Sequence, residues 1–155
     1  MARILIVGCR GRGEALARDL VEEGHAVRGT TRDPRGIPFI EAAGAEPYIG
    51  DPDRIATLME ALTGVTVLVY LVATADSDAL HDGRLRMLCE KLVDTPVRGL
   101  VYEVPEHPVR AARGTEIVDD AHRRWNIPVE YVDTPPSDCN RWRAEAVESV
   151  RRLLA

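Results

Sequence analysis

Short apolar runs of strand length alternate with amphipathic runs of helix length along the whole 155-residue chain, and this constrains the fold more than any motif. Residues 3–7, 26–31, 45–49, 65–72, 98–104 and 128–132 read as strands, and residues 13–23, 36–43, 53–62, 82–94, 109–125 and 138–154 as helices. Gly24, Gly44 and Gly64 each follow a helical stretch, where a left-handed residue stops it. Asp51 or Asp53 is placed to cap the third helix. Strict alternation with short connections predicts an α/β fold, with parallel strands joined by crossover helices. The pattern matches a doubly wound six-stranded sheet of order 3-2-1-4-5-6, with helices on both faces. Its ligand crevice lies at the carboxyl ends of strands 1 and 4. The run VTVLVYLV at 65–72 is the most continuously apolar, so this strand is expected to be the most buried.

Length and composition narrow the function. With 155 residues, 45% of them apolar, the chain predicts one domain over 1–155 and no separate substrate domain. Twenty basic against twenty-five acidic residues give a net charge of −5, which speaks against nucleic acid as a partner. Nineteen of the basic residues are Arg, and Lys91 is the single lysine. None of Tyr48, Tyr70, Tyr102 and Tyr131 has a lysine four residues later, so a Tyr-x-x-x-Lys catalytic pair is excluded. No stretch approaches the ~18–20 apolar residues of a membrane span. The run Ile4–Val7 is too short for a secretory core, so a cytoplasmic protein is expected. Cys9, Cys89 and Cys139 are widely spaced, and the four histidines lack H-x-x-x-H spacing. Reduced thiols and no bound metal are the expectation.

Gly8-Cys9-Arg10-Gly11-Arg12-Gly13 joins the first strand to the first helix. A pyrophosphate placed there meets free backbone N–H groups at the positive end of a helix dipole. Gly8 permits the tight turn and Gly13 close helix–strand packing. The middle glycine of G-x-G-x-x-G, where backbone approaches phosphate, is replaced by Arg10. That side chain either obstructs the ligand or grips its phosphate. The alternative parse, G-x-x-G-x-G through Gly11, is one residue short of G-x-x-G-x-x-G. The bland reading is a turn that merely packs the helix on the sheet.

Residues 4–73 resemble the cofactor half of the atypical short-chain dehydrogenase/reductase family, which includes epimerase/dehydratase-like and NmrA-like Rossmann proteins. The stretches ILIVGCRGRGEALARDLVEEGHAVRGTTRDP, AGAEPYIGDPD and VTVLVYLVATA carry the likeness. It implies a dinucleotide cofactor held by Gly8, Cys9, Arg10, Gly11, Arg12 and Gly13. Thr31 aligns with the acid that reads the ribose 2′-OH in NAD-specific members, and Arg32 follows it. The resemblance therefore implies NADP over NAD, with Arg32 as reader and Arg35 assisting, while Asp33 argues the other way. Asp51, in the Gly50-Asp51 pair, falls near the adenine or is a plain helix cap. Leu71, Val72 and Ala73 match the segment beside the nicotinamide.

Active members of the family end the fifth strand with Ser or Thr and carry Tyr-x-x-x-Lys on the next helix. This chain ends that strand Val101-Tyr102-Glu103-Val104-Pro105, and the next helix has neither Tyr nor Lys. Substitute proton-transfer groups are Glu103 and His107, with His81 in a loop on the same side. The bland reading pairs Glu103 with an arginine and leaves His107 an exposed loop residue. Cys9, at a helix N-terminus, is either a thiol of lowered pKa or a small buried hydrophobe.

Three functions stand. One is an NADP-binding sensor or regulator without reductase chemistry. Another is a reductase or epimerase using non-standard residues, or completing its site across a homodimer. The last is an interaction module that has lost its dinucleotide, with Arg10 filling the empty phosphate site. Substrate and pathway are not legible.

Overall fold

A computed structural model describes residues 2–155. The elements run in order β1 (Arg3–Val7), α1 (Arg12–Glu22), β2 (Ala26–Thr31), α2 (Ile37–Ala42), β3 (Glu46–Ile49) and β4 (Val67–Tyr70). They continue with α3 (Gly83–Leu92), β5 (Gly99–Glu103), α4 (Pro108–Trp125), β6 (Val129–Val132) and α5 (Cys139–Leu154). All pairings between strands are parallel, and the order is β3-β2-β1-β4-β5-β6. This is the Rossmann-type α/β arrangement expected from the alternation.

Period-two patterning splits the strand side chains between two cores. Leu5, Val7, Leu68, Tyr70, Leu100 and Tyr102 face α3 and α4, meeting Leu85, Leu88, Ile117 and Val118. Ile4, Ile6, Val67, Val69 and Val101 face α1, α2 and α5, meeting Leu16, Leu20, Ile40 and Trp142. Helices therefore cover both faces. β4 and β5 are buried along their whole length, whereas the edge strands β3 and β6 are not. The apolar run at 65–72 gives a shorter strand than its sequence suggests, Val67–Tyr70, but it is fully buried as expected.

The expected helix at 53–62 does not form. A single 3-10 turn, Ile55–Leu58, stands in its place, with Arg54 rather than Asp51 or Asp53 at its start. The Thr57 hydroxyl is bound to local backbone, accepting from the Asp51 N–H at 2.7 Å and lying 2.7 Å from the Arg54 carbonyl. Such side-chain-to-backbone bonds compete with helix propagation. Gly24, Gly44 and Gly64 all adopt positive φ.

Candidate functional site

The carboxyl ends of β1 to β4 frame a cleft of about 460 Å³. The turn from β1 explains its shape. Gly8 has φ +80°, and a Cβ there would lie 2.4 Å from the Leu71 carbonyl oxygen, so only glycine fits. A Cβ on Gly13 would lie 3.0 Å from the Gly8 carbonyl oxygen, which brings α1 close to the loop. Gly11, at φ +54°, starts α1. The Gly8 N–H is tied back to Thr30 Oγ1 at 3.1 Å and the Cys9 N–H to the Thr30 carbonyl at 2.9 Å.

The loop carries its own anion. Glu14 accepts from the Gly11 N–H at 2.9 Å and from Arg10 Nε at 3.1 Å, and Arg10 stacks over Phe39 at 5.1 Å. The Arg10 and Gly13 N–H groups are bound to the Gly8 and Arg10 carbonyls. Arg10 thus lines the cleft with its charge already paired. Cys9 is wholly buried against Gly29, and burial pushes its thiol up to about 12. Desolvation, aided by the Glu14 carboxylate, outweighs the Arg10 guanidinium, so Cys9 stands as the small buried hydrophobe.

At the end of β2, Thr30, Thr31, Arg32 and Asp33 line the cleft. Thr31 is buried and its hydroxyl donates to the Asp33 carbonyl at 2.9 Å. Asp33 caps the turn at Pro34–Gly36 and binds the Arg35 guanidinium, which pulls its carboxyl down to about 2. Arg35 is held by Asp33 in an exposed ion pair beside Arg32. Arg32 is exposed, lines the cleft, and has no ion pair among the described residues. Beyond β3, Gly50, Pro52 and Asp53 line the wall, whereas Asp51 does not. Asp51 folds the turn instead, accepting from the Asp53 N–H at 2.9 Å.

Leu71 and Val72 line the other wall after β4. The Ala73 N–H donates to Glu103 Oε1 at 3.1 Å. Glu103, at the end of β5, is 1% exposed and has both oxygens filled. Arg12 Nε donates to Oε2 at 2.6 Å and Arg12 Nη2 to Oε1 at 2.7 Å, and Trp142 Nε1 donates to Oε2 at 2.9 Å. His107 is not its partner; its Nδ1 caps α4 by accepting from the Arg110 N–H at 3.4 Å. Glu103 and His107 therefore do not pair for proton transfer: Glu103 takes an arginine, as the bland reading had it, and the imidazole caps α4. His81 is likewise no free loop group. It is fully buried, 2.6 Å from the Tyr102 hydroxyl and 3.2 Å from the Val72 carbonyl.

Sequence reasoning missed Glu14, Thr30, Thr74 and Trp142. Glu14 had a local signal, since it stands three residues after Gly11 in capping-box spacing. Trp142 lies 39 residues from Glu103 and had none.

No protein-family model matches the chain. A curated relative, the photosystem II assembly factor Ycf39 of Cyanophora paradoxa, is 31% identical over 104 residues, covering 58% of this chain and 32% of that protein. A short-chain dehydrogenase/reductase superfamily protein from Agrobacterium tumefaciens, solved with bound NAD, superposes with TM-score 0.68 at 20% identity. That match covers 83% of this chain and 48% of the other. A UDP-glucuronic acid 4-epimerase from Bacillus cereus, solved with NAD, gives TM-score 0.65 at 15% identity, covering 83% and 54%. The chain thus spans about a third of the curated relative and about half of these two solved structures. The fold is the one these short-chain dehydrogenase/reductase and epimerase structures share, as the stretches between Ile4 and Ala73 suggested.

Proposed function

We propose that this chain binds a dinucleotide, NADP in preference to NAD, and acts as a sensor or regulator rather than as a reductase. The observation that carries the reading is the unpaired guanidinium of Arg32, which lines the cleft where β2 ends. An acid at that end of β2 would accept from a ribose 2′-OH; a free arginine attracts a 2′-phosphate. At the start of α1 a Cβ on Gly11 would meet nothing within 4 Å, so the loop surface there is open to a pyrophosphate that displaces Glu14 from the Gly11 N–H. Nicotinamide, when bound, supplies hydride chemistry; among the described residues the end of β5 and α4 carry no Tyr-x-x-x-Lys pair to match it. The end of β5 carries Glu103, saturated by Arg12, Ala73 and Trp142. The similarity to an assembly factor fits a non-enzymatic role.

A second reading is favoured by Glu14, whose carboxylate already occupies the Gly11 N–H. On that reading the chain is an interaction module whose phosphate site is filled from within. Calorimetric titration with NADPH and NADH, on wild type and Arg32→Ala, separates the two. NADP binding predicts micromolar NADPH affinity, about tenfold or more over NADH, with the preference lost in Arg32→Ala. No NADPH binding at millimolar ligand sinks the proposal and leaves the interaction module.

A further inference from the structure

The two halves of this sheet are not equally open. In this strand order a dinucleotide spans the switch point, with one nucleotide over the β1–β2–β3 half and the other over the β4–β5–β6 half. Beyond β4 the cleft takes lining from residues within 71–80, but none from β5, β6, α4 or α5, so its second half stops short of β5. Arg12 is the reason. Its guanidinium leaves the first loop and passes the end of β4, with Nη2 3.4 Å from Thr74 Oγ1. It then closes on Glu103 at the end of β5 with two parallel bonds. Trp142 backs the pair, its indole 5.8 Å from the guanidinium and bonded to the same carboxylate.

This strap is hard to move. The Glu103 side chain is 1% exposed and that of Arg12 22%. Seating a nucleotide over β5 would draw the guanidinium away and strand a buried carboxylate, a heavily penalised state. On the other side Arg32 stands unpaired and open. We infer that the cleft reads only the 2′-phosphorylated adenosine-diphosphate half of its ligand, and that the nicotinamide ring stays in solvent. This rests on the NADP reading above and deepens it. Such a site registers phosphorylated adenine dinucleotide without distinguishing its oxidation state.

The test is a ligand series on the wild-type chain: NADPH, NADP⁺, 2′-phospho-ADP-ribose and ADP-ribose. The first three are expected to bind within about threefold of one another, and ADP-ribose about tenfold or more weaker. Bound NADPH should keep the emission maximum and iodide quenching of the free ring. If NADPH or NADP⁺ binds about tenfold tighter than 2′-phospho-ADP-ribose, the nicotinamide is seated and the inference fails. No binding by any of the four at millimolar concentration fails the NADP reading itself, and this inference with it. Arg12→Ala, which removes the strap, is expected to create a preference for NADPH over 2′-phospho-ADP-ribose of about threefold or more.

Discussion

Arg12 and Glu103, 91 residues apart in sequence, form a two-pronged ion pair across the carboxyl edge of the sheet, at 2.6 and 2.7 Å. The pair ties the first loop to the end of β5, and so couples the two halves of the fold. Removing one partner of a buried pair leaves the other charge uncompensated. Arg12→Ala is expected to cost about 3 kcal/mol of stability in urea unfolding. Glu103→Ala is expected to cost less, because Arg12 reaches water. The double variant should fall short of the sum by about 2 kcal/mol, since each side chain's loss already removes the same interaction. Strict additivity would show that the pair contributes nothing.

The strand order was legible because strand-length apolar runs alternate with helix-length amphipathic runs, joined by short connections and punctuated by helix-stopping glycines. Runs such as residues 4–7 and 67–70 carry that signal without reference to distant partners. The segment 53–62 misled because its apolar spacing is helical, while Thr57 binds the backbone of Asp51 and Arg54. Gly8, Arg32, Leu71 and Val72 were found from local motif context, and all line the cleft. For Glu103 the local sequence leaves open a proton-transfer role and an arginine partner alike. Which arginine it takes depends on how β1 and β5 are placed in three dimensions, and no local spacing encodes that.

Glu14 sits where an incoming pyrophosphate would place its charge, bonded to the Gly11 N–H and to Arg10. Glu14→Gln keeps an acceptor for the Gly11 N–H and removes the negative charge from the helix N-terminus. NADPH affinity is expected to rise by about three- to tenfold, and the gain should shrink with added salt. Isothermal titration at two ionic strengths reads both. A fall in affinity would mean that Glu14 instead holds Arg10 in position for the ligand.

Gly114 in α4 lets the helix lie directly on Tyr102. A Cβ there would be 1.8 Å from the Tyr102 hydroxyl oxygen and 2.7 Å from Cζ, and Tyr102 is fully buried. Gly114→Ala should raise intrinsic helix propensity, yet the overlap dominates, with an expected loss of about 2–3 kcal/mol. Tyr102→Phe in the same chain removes the closest atom, so the double variant should lose less than the two single losses added together. A Gly114→Ala chain as stable as wild type in thermal unfolding would show that α4 shifts freely over β5.

His81 makes the fold sensitive to acid. The Val72 carbonyl can only accept, so Nε2 carries the proton and Nδ1 accepts from the Tyr102 hydroxyl. A second proton on Nδ1 would face that O–H. Burial lowers the His81 pKa below its ordinary 6.5; Arg110 adds to the lowering, while the Val72 carbonyl, Glu103 and Asp78 oppose it. Burial disfavours the protonated ring in the native state, whereas the unfolded chain takes up a proton near 6.5. The resulting stability is therefore present above pH 6.5 and is lost as pH falls through the lower folded-state value. Urea unfolding of wild type and His81→Gln between about pH 5 and 8 isolates the contribution. The wild type should lose stability relative to the variant below pH 6.5, by at most about 1.4 kcal/mol per pH unit. Parallel curves for the two proteins would show that His81 titrates alike in the folded and unfolded chains. The buried bond to Tyr102 would then be too loose to hold the ring neutral.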